Sequence, residues 1–241
     1  MKIIVTGGAS GLGEAITRRI ASACPESDLH ITYNNSQSNA IKLSTEFKNI
    51  TAHKCNFSNI AEVDNFVAQI NSISPDVLIN NANTSPFLGK HFHKSLPEDY
   101  LSGFKQCILP LIKITGESIQ CFRKKKFGKI INISTAALVG NPPVGSSIYI
   151  ANKAYLEALS RSWATENIGS NITSNCIAPS MMATSLTNGI DERLLNGIVS
   201  NHPLKQLLPI EDVAEAVLFF ILSSQHINGA NLTLNAGMDI R

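Results

Sequence analysis

The sequence predicts an α/β protein: one doubly wound Rossmann-type domain over residues 1–241, with a parallel sheet of about seven strands and helices on both faces. Three observations lead there. Short apolar runs alternate with longer amphipathic ones from end to end, the pattern of right-handed βαβ crossovers. The first run, Lys2-Ile3-Ile4-Val5, passes directly into a glycine-rich turn and then an amphipathic helix. A chain of 241 residues, 44% hydrophobic and 16% charged, is long enough to fill a core on each side of such a sheet.

In chain order, strands are expected at 2–5, 29–33, 50–55, 76–80, 129–134, 172–177 and 231–235. Helices are expected at 13–22, 37–48, 60–72, 98–124, 149–167, 190–198 and 211–223. The helix at 98–124 opens on Pro97-Glu98-Asp99, whose acids suit the positive end of a helix dipole. It closes on Arg123-Lys124-Lys125-Lys126, cations at the negative end. Pro209-Ile210-Glu211-Asp212 opens the last helix in the same way. No repeat, low-complexity tract or linker divides the chain.

Composition excludes several function classes. A net charge of +2 gives no reason to expect nucleic acid, and the basic run at 123–126 reads as a solvated helix end. No apolar run approaches the roughly 18 residues of a membrane helix. Met1 opens almost at once onto a strand, so no signal peptide is expected. Five cysteines without a C-x-x-C pair suggest reduced thiols and a cytoplasmic protein.

The turn Thr6-Gly7-Gly8-Ala9-Ser10-Gly11-Leu12-Gly13 is where chemistry first shows. Glycine allows tight turning and lets backbone N–H groups reach a pyrophosphate, which then sits on a helix N-terminus. In a doubly wound sheet, ligands bind beyond the C-terminal ends of the strands. That puts Thr6–Gly13, Asn80–Asn83, Ser134–Thr135 and Pro179–Thr184 on one rim. A second signal lies downstream, where Tyr149 and Lys153 are one helical turn apart on one face. A phenol titrates near 10 and is a poor acid at neutral pH. A neighbouring ammonium would stabilise the phenolate and make Tyr149 a usable proton donor or acceptor.

Together these residues resemble the short-chain dehydrogenase/reductase family, and the resemblance covers essentially the whole chain. Thr6–Gly13 looks like its T-G-x-x-x-G-x-G turn, Asn80-Asn81-Ala82 like the start of its N-N-A-G segment, and Tyr149 with Lys153 like its Y-x-x-x-K pair. Residues 179–184 resemble its P-G-x-x-x-T stretch, and 228–238 its last strand and turn. The pattern is closest to the branch of 3-oxoacyl-carrier-protein reductases. The resemblance implies hydride transfer between a nicotinamide coenzyme and a carbonyl or alcohol, with Tyr149 as acid/base. Lys153 would hold the nicotinamide ribose and lower the Tyr149 pKa, and a hydroxyl from Thr135 or Ser134 would orient the carbonyl, Thr135 being the better alignment. Coenzyme contacts are implied for Gly7, Ser10, Gly11, Leu12, Gly13, Tyr33, Asn34, Asn56, Phe57, Asn81, Ala82, Asn83, Tyr149, Lys153, Pro179, Met182 and Thr184.

Four positions depart from the family pattern. Thr135 stands for the usual serine. Cys107 falls where an asparagine is thought to hold a relay water, and it otherwise reads as an inert core thiol. Asn83 replaces a glycine, tolerable because asparagine accepts left-handed geometry. Asn56 replaces an aspartate, and its amide oxygen can still accept a bond from adenine.

The end of the second strand, Ile31-Thr32-Tyr33-Asn34-Asn35-Ser36, holds no acid, which favours NADP over NAD, although no arginine is there to select it. His91 and His93 lack a third ligand of suitable spacing, so no metal is expected. Phe87–His93 is read instead as pocket wall. Residues 185–202 are read as a lid, or as a surface hairpin packing by Leu194, Leu195 and Ile198. The partners expected are a small-molecule carbonyl or alcohol and a second copy of the chain, as a homodimer or homotetramer built on the helices at 98–124 and 149–167. Two other readings stay open: a dinucleotide-binding relative without turnover, and epimerisation or dehydration on the same scaffold.

Overall fold

The computed structural model describes residues 1–85, 89–184 and 192–239. Its strands are β1 (Lys2–Val5), β2 (Asp28–Tyr33), β3 (Ile50–Lys54), β4 (Val77–Asn80), β5 (Gly128–Ile133), β6 (Ile172–Pro179) and β7 (Asn231–Leu234). Its helices are α1 (Gly11–Ala23), α2 (Gln37–Glu46), α3 (Ile60–Ile73), α4 (Pro97–Lys125), α5 (Ser147–Asn167), α6 (Glu192–Asn201) and α7 (Ile210–Leu222). The strands form one sheet in the order β3-β2-β1-β4-β5-β6-β7, every pair parallel. All fourteen expected segments are found, with ends shifted by at most three residues. The helix expected at 190–198 is seen as α6, and residues 190 and 191 lie outside the described residues.

Parallel strands covered on both faces carry continuous apolar runs, and every residue of β4, β5 and β6 is buried. One core packs α1, α2 and α7 against Val5, Leu29, Ile31, Ile131 and Ile177. The other packs α3 and α4 against Ile4, Leu78 and Ile130. Buried Lys129 is no breach of the core, because its ammonium donates to the Phe220 carbonyl at 3.2 Å and to that of Ser223. Both are carbonyls at the closing end of α7, where a cation is favoured.

Local chemistry sets the helix ends. Asn59 Oδ1 accepts from the Ala61 amide at 3.1 Å at the start of α3. Asp99 accepts from the Leu96 amide at 2.9 Å at the start of α4. At the far end of α4 Lys125 pairs with Asp76 and Arg123 donates to Asn167 at 3.0 Å, so the basic run is a paired helix end. Pro110 lies inside α4 and lacks the N–H that would meet the Gln106 carbonyl. The Thr84 hydroxyl donates to that carbonyl instead, at 2.8 Å.

Strand order reverses between β1 and β4, so the loops after these strands diverge and leave a crevice.

Candidate active site

The glycine turn is clamped into that crevice. The Thr6 hydroxyl donates to the Ile79 carbonyl at 3.2 Å and accepts from the amides of Asn81 and Ala82, both at 3.0 Å. Asn81 Nδ2 donates to the Thr6 carbonyl at 2.9 Å, and the Gly7 amide to Thr32 Oγ1 at 2.9 Å. Gly7 has φ +65°, a conformation open to glycine. Gly13 is fixed by contact rather than by φ: a Cβ there would lie 1.9 Å from the Gly7 carbonyl oxygen. The turn itself forms the first residues of α1, which is why that helix begins at Gly11 and not at residue 13.

A cavity of about 840 Å³ runs from this turn to α5, and the residues expected at the site converge on it. Gly7, Ser10, Gly11, Leu12, Gly13, Tyr33, Asn34, Phe57, Asn81, Ala82 and Asn83 line one part. Ser134, Thr135, Tyr149, Lys153, Pro179, Met182 and Thr184 line the rest. Asn56 is the exception. Its Oδ1 accepts from the Ser58 amide at 2.9 Å, an Asx turn that withdraws it from the wall. Cys55, Phe57 and Ser58 line the cavity there instead. Asn35, Ser36, Thr84 and Asp239 also line it and were not anticipated. For Asn35 and Ser36 the acid-free turn was the available signal, whereas nothing local marks Thr84 or Asp239.

The reactive corner is dry. Tyr149 is 7% exposed and Lys153 8%. The Tyr149 hydroxyl shares a hydrogen bond with Thr135. β5 stops at Ile133, so Ser134 and Thr135 belong to the turn after it. Ser134 turns away and donates to Glu157 Oε1, which also accepts from Asn231 Nδ2 at 3.0 Å. Of the two candidate hydroxyls, Thr135 is therefore the one that meets the phenol.

Lys153 Nζ donates to the Ile133 carbonyl at 2.7 Å and lies 5.8 Å from the centre of the Tyr149 ring. Burial pushes its pKa down to about 8, opposed by Cys107, Cys176 and Glu157. The expectation that Lys153 holds the phenol's pKa down is not met. Burial raises Tyr149 above its ordinary value, and the bond to Thr135 is the opposing influence. The ammonium is drawn to a backbone carbonyl, and desolvation of the phenolate dominates.

Cys107 is 5% exposed, yet it does not sit among apolar groups alone. Its Sγ lies 3.0 Å from Thr84 Oγ1, 3.0 Å from Ser85 Oγ and 3.1 Å from the Ser85 amide. Ser85 Oγ accepts in turn from Asn152 Nδ2 at 3.1 Å. Asn83 is not among the residues with positive φ, so the glycine it replaces is not needed for backbone shape. The rings of His91 and His93 stand 5.7 Å apart on an exposed turn. Among the described residues no group of three His, Cys, Asp or Glu side chains could hold a metal ion. Of the expected wall 87–93, Phe87 and Leu88 lie outside the described residues, as do 185–191 of the expected lid. Ile198 of α6 does line the cavity.

Residues 7–239 match the family model described as Enoyl-(Acyl carrier protein) reductase. The chain belongs to the short-chain dehydrogenase/reductase family. Like its relatives, this short-chain dehydrogenase/reductase is an oxidoreductase of the 3-oxoacyl-carrier-protein reductase-like branch. It is 30% identical over 246 residues to the 3-oxoacyl-[acyl-carrier-protein] reductase FabG of Rickettsia prowazekii (strain Madrid E), covering 98% of this chain and 95% of the relative. It is 28% identical to nodulation protein G of Rhizobium meliloti (strain 1021), covering 98% and 96%. Among solved structures, a short chain dehydrogenase/reductase family protein superposes with TM-score 0.87 at 23% identity, covering 100% of this chain and 98% of that one. The 3-ketoacyl-(acyl-carrier-protein) reductase from Brucella melitensis, complexed with NADH, superposes with TM-score 0.86 at 22% identity, covering 99% and 98%. These likenesses bear on the fold.

Proposed function

We propose that this chain is a nicotinamide-dependent reductase of a small-molecule carbonyl, in which Tyr149 passes a proton to or from the substrate oxygen. The observation that carries the reading is the Thr135–Tyr149 hydrogen bond beside Lys153, at the inner end of a cavity that begins on the glycine turn. The residues present fit a dinucleotide: the residues that open α1 line the cavity, and Gly13 lets the turn close on Gly7. When bound, the coenzyme supplies or accepts the hydride.

The protein's own groups do the rest. Tyr149, raised by burial, carries its proton at neutral pH and is poised to donate it to a carbonyl oxygen. Thr135 holds the phenol and offers a second hydroxyl to the same oxygen. Lys153, its ammonium 5.8 Å from the centre of the Tyr149 ring and lining the same cavity, would hold the nicotinamide ribose. The relatives' names make β-ketoacyl thioesters the first substrate class to test. The acid-free wall at Tyr33, Asn34, Asn35 and Ser36 favours NADP(H) over NAD(H).

Five free cysteines are in keeping with a cytoplasmic location. No helix of the described residues is long and apolar enough to cross a membrane. Exposed Leu101 on α4 and Tyr155 on α5, whose ring packs against Phe104, offer a face for a homodimer or homotetramer.

Coenzyme oxidation against a panel of β-ketoesters, quinones and keto-sugars, in wild type and Tyr149→Phe, tests the proposal. Turnover should vanish in the variant while coenzyme affinity stays within about twofold. Undiminished turnover would remove Tyr149 from the mechanism. Tight coenzyme binding with no carbonyl reduced by the wild type would favour a dinucleotide-binding relative without turnover.

A further inference from the structure

The coenzyme reading leaves one question of chemistry open, namely what would recognise a 2′-phosphate. Among the described residues that line the cavity, Lys153 is the only cation, and it is buried at the reactive end. Neither the glycine turn nor the turn after β2 carries a basic residue. The missing charge comes from the next strand. Lys54 closes β3 and stands in register beside Tyr33, the last residue of β2. Side chains alternate along a strand, so Lys54 leaves the same sheet face as Ile50 and Ala52, which pack with Ala40 and Leu43 of α2.

From there the exposed ammonium reaches over the end of β2. It donates to the Asn34 carbonyl at 2.7 Å and to Asn34 Oδ1 at 3.1 Å. Asn34, Asn35 and Ser36 all line the cavity. An ammonium has three donors; Asn34 takes two and the third remains for an anion in that corner. Glu14 reaches towards the corner through Asn39, which also donates to the Ala9 carbonyl at 2.6 Å. Its carboxylate accepts from Arg18 Nε at 2.8 Å and from Asn39 Nδ2 at 2.7 Å, and Arg18 also holds Glu46 at 2.7 Å, so the charge of Glu14 is partly offset and not cancelled.

We propose that Lys54 binds the 2′-phosphate of the coenzyme, so that this chain selects NADP(H) over NAD(H) by a cation on β3. The proposal rests on the dinucleotide reading above and adds the residue that decides between the two coenzymes. A charge-assisted contact to a partly solvated phosphate corresponds to about a tenfold preference.

Calorimetric titration of NADPH and of NADH into the full-length wild type, Lys54→Gln and Lys54→Arg tests it without any turnover. The wild type should bind NADPH about tenfold tighter than NADH. That margin should shrink as salt is raised from about 50 to about 500 mM. Lys54→Gln should lose the margin by weakening NADPH alone, and Lys54→Arg should keep it. If Lys54→Gln weakens both coenzymes alike, Lys54 merely holds Asn34 and the proposal falls. A wild type with no preference for NADPH also overturns it, and leaves the reductase reading standing. Failure of that reading looks different, with no binding of either coenzyme to the wild type.

Discussion

Replacing Lys153 by methionine should make the ligand-free protein more stable while ending its activity. The side chains are similar in length, and Lys153 is buried and donates to the Ile133 carbonyl. Burial brings its pKa from 10.5 to about 8. At about 1.36 kcal/mol for each tenfold in proton affinity, that gap is about 3 kcal/mol against the charged form. Losing the bond to Ile133 gives back about 1 kcal/mol. The variant should therefore gain about 2 kcal/mol at pH 7, or roughly 4–8 °C in Tm for a chain of this size.

The pH dependence separates this cause from better packing. Below pH 8 both folded and unfolded chains hold the proton, and the full penalty stands. Between about 8 and 10.5 the unfolded chain binds more protons than the folded one, so the wild type gains stability as pH rises. The stability gap between variant and wild type should be widest at pH 7 and close towards pH 10. Urea unfolding at several pH values reads it directly. A variant less stable than wild type at pH 7, or a gap independent of pH, would refute the reasoning.

Other outcomes follow from the same geometry. Thr135→Val should lower kcat by about 10²-fold, whereas Ser134→Ala should leave it within a few-fold, because only Thr135 meets the phenol; steady-state kinetics on both decide it. Thr84→Ala should cost about 1–2 kcal/mol by orphaning the Gln106 carbonyl, and much less in a Pro110→Ala background, where the helix can supply its own N–H. A double-mutant cycle in urea measures that coupling. Gly13→Ala should abolish coenzyme binding in calorimetry, since its Cβ has no room beside the Gly7 carbonyl.

What was legible in the sequence was mostly local. The glycine turn, the apolar strands and the Tyr149–Lys153 spacing each depend on a few neighbouring residues, and each is found where expected. The choice between Ser134 and Thr135 was not fixed in that way, because it turns on whether β5 ends at residue 133 or 134. Asn56 lines nothing because its own backbone neighbour took its oxygen first. The Tyr149 proton affinity was misjudged from spacing alone: one helical turn brings Lys153 close, but the ammonium's direction is set by a carbonyl on another element. Likewise Pro110 announces a gap in α4, while the hydroxyl that fills it comes from 22 residues upstream of Gln106.

β1 sits near the middle of the sheet although it is the first strand to be made. Its flank against β4 depends on residues such as Asp76, which accepts from the Lys2 amide at 2.8 Å across a separation of 74 residues. At ribosomal speeds of about 5–20 residues per second, Ile3, Ile4 and Val5 wait several seconds with an open edge. Sticky or bulky substitutions in that short stretch should therefore show first as lost yield of newly synthesised protein, before any defect appears in molecules that have finished folding.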